Sequence, residues 1–144
     1  MVAMKLPDSV YDDIERLSEK GNAFLDGGKC DAAIGEWEEA LSLVPEPRSD
    51  WEASTWLYSS IGDAYFQKGD YYKAKESLFD ALNCPDGVNN PFIHYMLGKT
   101  LIKLNDENGI PSFLKAYLLD GLEIFELDEE GGEYLNLLKK RKLI

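Results

Sequence analysis

Groups able to do acid–base or nucleophilic chemistry are few and scattered in this sequence. His94 is its one histidine, and Cys30 and Cys84 are its two cysteines. Catalysis by proton transfer or covalent attack needs a base, a nucleophile and an orienting group that converge. The lone imidazole, within Phe92-Ile93-His94-Tyr95-Met96-Leu97, reads as a packing residue of a helix. Carboxylates occur as adjacent pairs, Asp12-Asp13 and Glu38-Glu39, but neighbours on a helix point in different directions and make no acid/base couple. Asn105-Asp106-Glu107-Asn108 is too short for a calcium loop and lacks the distal bidentate glutamate. No glycine stands in a Gly-Lys-Ser/Thr phosphate loop. The cysteines lack metal-ligand spacing and read as free, packed thiols. The expectation is a chain that is not an enzyme, with no catalytic residue, no cofactor and no metal.

What these residues can do is bind. The formal net charge is −12, with 12% aromatic residues. Seven acids, Asp120, Glu123, Glu126, Asp128, Glu129, Glu130 and Glu133, follow one another with no base between them. A field of that sign repels nucleic acid and draws basic partners. The Lys139-Lys140-Arg141-Lys142 run complements the dipole at the end of a final helix. No apolar run approaches the length that spans a bilayer, and no charged-then-apolar leader opens the chain. A cytoplasmic protein with a protein partner, and with neither nucleic acid nor membrane as partner, is the expectation.

The elements that must position these groups come from a pattern stated twice. Gly21, Phe24, Gly28, Ala33, Trp37, Ala40 and Leu41 are repeated 41 residues later as Gly62, Tyr65, Gly69, Ala74, Leu78, Ala81 and Leu82. Each copy places a small residue on either side of a turn glycine, so two helices joined there can approach closely. A third copy carries Gly98 and Leu101 before its turn and Gly109, Ile110, Phe113, Ala116 and Tyr117 after it. Its turn, Leu104-Asn105-Asp106-Glu107-Asn108, is one residue shorter and has no glycine. Ser9 with Asp12, and Ser49 with Glu52, have the spacing of capping boxes for the first helices of hairpins one and two. Residues Pro47 to Ala53 read as an insertion that lengthens the second hairpin's first helix. Trp51 and Trp56 ride on it, and one or both would pack on the preceding proline-rich loop.

These marks resemble the tetratricopeptide repeat, whose period is about 34 residues. The resemblance implies an all-α fold: three helix-turn-helix hairpins and a C-terminal capping helix in a right-handed α-solenoid. It is read as one domain over 1–144, with repeats at about 9–46, 49–88 and 90–125 and a cap at about 129–142. In that family the first helix of each hairpin lines a concave groove. Carried over, the inward residues are Glu15, Ser18, Asn22, Leu25 and Asp26 in the first repeat. Trp56, Ser59, Asp63, Phe66 and Gln67 follow in the second, then Phe92, Tyr95, Lys99, Ile102 and Lys103 in the third.

The co-chaperone branch grips a chaperone's terminal carboxylate with lysine, asparagine and arginine. Here only Asn22 matches, and Ser18, Ser60, Phe92 and Met96 stand at the other clamp places. Binding of that tail is not expected. A partner segment carrying apolar and basic residues fits the aromatic and acidic side chains better, with Lys99 and Lys103 meeting an acid at one end; the alternative is that some of these aromatics bury against the C-terminal helix, folded back into the groove. The run Ala81-Leu82-Asn83-Cys84-Pro85-Asp86-Gly87, continued by Asn90-Pro91-Phe92-Ile93-His94, is similar to small bacterial tetratricopeptide proteins of toxin loci. That similarity implies an immunity protein that neutralises a basic toxin domain. An adaptor or secretion chaperone holding a client peptide, and self-association, are the other readings.

Overall fold

The computed structural model describes residues 5–144. The expected unit begins at Met1, and its first four residues lie outside the described residues. Helices α1 (Asp8–Asp26) and α2 (Cys30–Ser42) form the first hairpin, α3 (Glu52–Lys68) and α4 (Tyr71–Leu82) the second, and α5 (Pro91–Lys103) and α6 (Gly109–Asp120) the third. A four-residue turn of helix, α7 (Glu123–Glu126), leads to α8 (Gly131–Lys140). There is no strand among the described residues.

Three small-residue crossings hold the hairpins together. A Cβ placed on Gly21 would run into the Trp37 indole, one on Gly62 would lie 2.7 Å from Leu78 Cγ, and one on Gly98 2.6 Å from Phe113 Cδ1. Trp37, Leu78 and Phe113 are each fully buried, so each glycine is the socket for a large side chain of the opposite helix. Trp37 also donates its indole N–H to the Ser18 carbonyl at 3.2 Å, which satisfies the polar atom that burial would otherwise orphan. The third crossing lies one residue closer in sequence than the other two, as the shorter turn requires.

The turns reverse by the left-handed region. Gly28 (φ 77°) and Gly69 (φ 86°) take it in the first two hairpins. In the third, Asn105 takes it at φ 59°, since asparagine tolerates that conformation better than most residues. Asn105 stands as far after Gly98 as Gly28 does after Gly21, so the missing glycine leaves the turn in register.

Helix starts differ from the capping expectation. α1 begins at Asp8 on Pro7, with no side-chain cap, and Ser9 falls inside the first turn. Ser49 belongs to a 3-10 turn, Arg48–Asp50, in which the Pro47 carbonyl accepts the Asp50 N–H and the Arg48 carbonyl accepts the Trp51 N–H. α3 therefore starts on Trp51, in extended conformation and with no side-chain cap. The inserted residues form that turn and do not lengthen the helix: α3 has 17 residues and α1 has 19. Where side-chain caps do form, they come from Asp70 on α4 and Asn90 on α5.

Two clusters dominate the interior. Ile14, Leu17, Ile34, Trp37, Leu57 and Ile61 join the first hairpin to the second, with Trp51 half-buried against them. At the other end Tyr95, Phe113, Phe125 and Tyr134 form an aromatic group, with Phe113 stacked on Tyr134 at 4.4 Å and Tyr95 edge-on to Phe125 at 5.1 Å. Gly131 opens α8, and its Cα passes so near the chain at Phe125 that a Cβ would meet that carbonyl.

Candidate functional site

Spacing on α1, α3 and α5 sets up the inner face, and burial then divides it. Glu15, Asn22 and Asp26 on α1 and Trp56 and Gln67 on α3 are exposed, while Asp63, Phe66 and Phe92 are half-buried. Ser18, Ser59 and Tyr95, expected to face a ligand, are buried instead. Ser59 lies against its own helix and donates to the Thr55 carbonyl at 2.7 Å. Leu25 is half-buried against the first core cluster. The open stretch of the face thus belongs to hairpins one and two.

At hairpin three the chain fills its own groove. Asp128, just after α7, accepts from Tyr95 Oη at 2.8 Å and from Lys99 Nζ at 2.7 Å, both on one carboxylate oxygen. Its second oxygen accepts the Glu130 backbone N–H at 3.2 Å. The Lys99 ammonium also lies 4.7 Å from the Phe66 ring centroid, within cation–π range. Tyr95 and Lys99 are therefore engaged by this chain's own acid, and the partner acid expected to meet Lys99 is supplied internally. Phe92, Met96, Ile124 and Leu127 line the small remaining cavity of about 190 Å³ beside them.

The electrostatics follow from these contacts. Burial, followed by the bond to Asp128, pushes the Tyr95 phenol far above its usual value. Burial works against the Asp128 carboxylate, but the hydrogen bonds from Lys99, Tyr95 and the Glu130 amide together hold it below its ordinary value. Asp63 moves the other way: burial raises it, and neither the Gln67 hydrogen bond nor the charge of Lys99 cancels that.

The acidic run does not act as one patch. Asp128 is turned inward, Asp120 is half-buried, and Glu130 accepts from Tyr134 Oη at 2.8 Å. Glu123, Glu126, Glu129 and Glu133 are exposed. Ile124 and Phe125 are buried between them, and that apolar pair pulls the segment against α5. His94 is half-buried and donates from Nε2 to the Val88 carbonyl at 2.8 Å, tying α5 to the 3-10 turn Gly87–Asn89 that precedes it. Cys30 and Cys84 are free.

A second concavity was not anticipated. It measures about 580 Å³ at the start of α1 and α3, lined by Lys5, Leu6, Asp8, Tyr11, Asp50, Trp51, Glu52, Ala53, Trp56 and Pro85. Of the two tryptophans expected to pack on the loop, Trp51 is half-buried while Trp56 stays 36% exposed at this cavity. Tyr11 lies one helical turn before Glu15 and 41 residues before Glu52, so the repeat offset itself carried the signal that would have placed it.

Three small-residue hairpins in a stack, with an inner face drawn from their first helices and a capping helix, define a tetratricopeptide-repeat fold. Solved structures agree. The chain superposes on the Arabidopsis OM64 TPR domain with TM-score 0.72 and 17% identity, over 92% of this chain and 98% of that one. On the first TPR of Spaghetti (RPAP3), solved bound to the HSP90 peptide SRMEEVD, the TM-score is 0.65 and the identity 18%, over 92% and 95%. In sequence it is 30% identical over 84 residues to the TPR repeat-containing protein YvcD of Bacillus subtilis (strain 168). That match covers 57% of this chain and 16% of the relative's length. No family model matches the chain. No helix among the described residues is long and apolar enough to cross a membrane.

Proposed function

We propose that this chain is a non-catalytic protein-binding module that takes a basic, partly apolar partner segment on the inner face of its first two hairpins. The observation that carries this reading is Asp63, a half-buried carboxylate beside Phe66 on an open face whose other polar groups are mostly acidic or neutral. Aromatic side chains flanked by charge are the usual anchors of protein interfaces. The resident Asp128 takes up the Lys99 ammonium and leaves only the exposed Lys103 of the two lysines expected to meet an acid there, so an acidic tail finds half the charge it would need. An adaptor or secretion chaperone holding a client segment is the role this geometry fits best.

A displayed library of random peptides, selected on the protein and on Asp63→Asn, tests it. Selected peptides should be rich in arginine, lysine and apolar residues, and Asp63→Asn should weaken them roughly tenfold, the loss of about 1.4 kcal/mol. Stability should move in the opposite sense. Because the native pKa of Asp63 is raised, its favourable contribution exists below the ordinary value of 3.8 and is lost as pH rises through the raised value. Asparagine lacks that loss, so the melting temperature at pH 7 should be unchanged or higher. Selection of acidic peptides, or binding indifferent to Asp63→Asn, would overturn the reading.

Inhibition of a basic bacterial toxin domain is the second reading. It is favoured by the exposed Glu123, Glu126, Glu129 and Glu133 on the cap, which suit a folded cationic surface better than a groove peptide. An inhibitor of that kind needs the whole domain and loses affinity steeply with salt. Retained affinity at high salt would exclude it.

A further inference from the structure

We propose that the cavity at the start of α1 and α3 is a pocket for an arginine side chain of the partner segment. This rests on the reading that the inner face takes a basic partner, and it adds where the charge is read. The cavity's 580 Å³ falls within the roughly 300–1,000 Å³ of pockets that hold small ligands. Its wall combines two chemistries seldom found together by chance. Tyr11, Trp51 and Trp56 supply aromatic surface, and Asp8, Asp50 and Glu52 supply carboxylates against the single ammonium of Lys5.

A guanidinium satisfies both. It is planar and weakly hydrated, stacks on an indole or phenol ring, and donates in pairs to carboxylates. An anion would face three like charges. A purely apolar side chain would desolvate those carboxylates with nothing returned to them. Trp56 joins this pocket to the inner face, three residues before Ser59 and one turn further before Asp63. A segment lying along the face could thus place one basic residue here and another near Asp63.

The three tryptophans make the test internal to one spectrum. Trp37 is fully buried in the first hairpin and serves as the control indole. N-acetyl-arginine methylamide titrated into labelled protein should shift the Trp51 and Trp56 indole N–H resonances saturably, in the millimolar range, and leave Trp37 unmoved. The norleucine analogue, of similar length and uncharged, should bind at least about tenfold more weakly. Glu52→Gln, at an exposed position, should weaken arginine several-fold and leave the norleucine response alone.

Equal response to both analogues, preference for the glutamate analogue, or no saturable shift would overturn the pocket. If arginine fails while Asp63→Asn still weakens peptide binding, the pocket is wrong and the groove reading stands. If arginine binds and Asp63→Asn has no effect on peptides, the pocket stands and the groove reading fails.

Discussion

Gly62→Leu is expected to lower the melting temperature by roughly 10 °C or more. The Cβ alone would come within 2.7 Å of Leu78 Cγ and 2.9 Å of Leu78 Cδ2, with the Ala74 carbonyl at 3.4 Å. Leu78 is fully buried and has nowhere to swing, so α3 and α4 must separate or the leucine must adopt a strained rotamer. Overpacking of that kind costs about 1–3 kcal/mol and occasionally more, and a side chain wedged between two helix axes belongs at the upper end. For a chain of this size each 1 kcal/mol moves the melting point by roughly 3–5 °C. Gly35 supplies the contrast. It lies within α2 with nothing inside 4 Å of its would-be Cβ, so Gly35→Ala should stabilise by about 0.5–1 kcal/mol through helix propensity. Thermal melts followed by circular dichroism at 222 nm check both. An unchanged melt for Gly62→Leu would contradict the pairing of Gly62 with Leu78.

Asp128→Ala should be nearly as damaging, for an electrostatic reason. It leaves Tyr95, 3% exposed, and Lys99, whose side chain is 12% exposed, without the oxygen that both donors share. Stranding a buried hydroxyl and a largely buried ammonium costs about 2–4 kcal/mol, and the C-terminal segment keeps only its apolar contacts with α5 there. The pH dependence carries a definite sign. Asp128 has a native pKa below its ordinary 3.8, so its stabilisation is complete above that value and is lost as pH falls through the lowered one. The gap between wild type and Asp128→Ala should therefore be full at pH 6 and close as the pH drops below about 3.8. A gap that persisted unchanged in strong acid would show that Asp128 acts through packing and not through its charge.

These two predictions mark what could be read without coordinates and what could not. The close approach of α3 and α4 at Gly62 was legible because it is local and repeated, and small residues at helix crossings have one main use; that Leu78 fills the place beside Gly62, with only the Ala74 carbonyl near, was not. The turn at Asn105 was harder, since the signal for a left-handed residue is strongest for glycine and asparagine states it more quietly. The capping boxes failed because a serine at the right spacing competes with proline: Pro7 starts α1 directly, and Pro47 begins a 3-10 turn that uses up Ser49.

Among the expected groove residues, Trp56 is exposed and Asp63 and Phe66 are half-buried, which leaves them within reach of a partner. That some groove aromatics would bury against the C-terminal helix was one reading of the sequence, but nothing singled out Asp128 as the acid that takes Tyr95 and Lys99, because it lies 29 residues beyond Lys99. The run of acids concealed this. Charge alone made seven similar carboxylates, and only the burial of Ile124 and Phe125 between them turns one of the seven inward.

The central claim is that the inner face of the first two hairpins is where the partner sits. Its most direct test is affinity capture from lysate of the protein's own source, run in parallel with the wild type and with a Trp56→Ala, Asp63→Asn, Phe66→Ala variant shown to fold by its melt. The account predicts that proteins captured by the wild type carry a basic segment, are partly released at high salt, and are lost from the variant. Equal capture by the two proteins would contradict it, and would move the binding face elsewhere on the molecule.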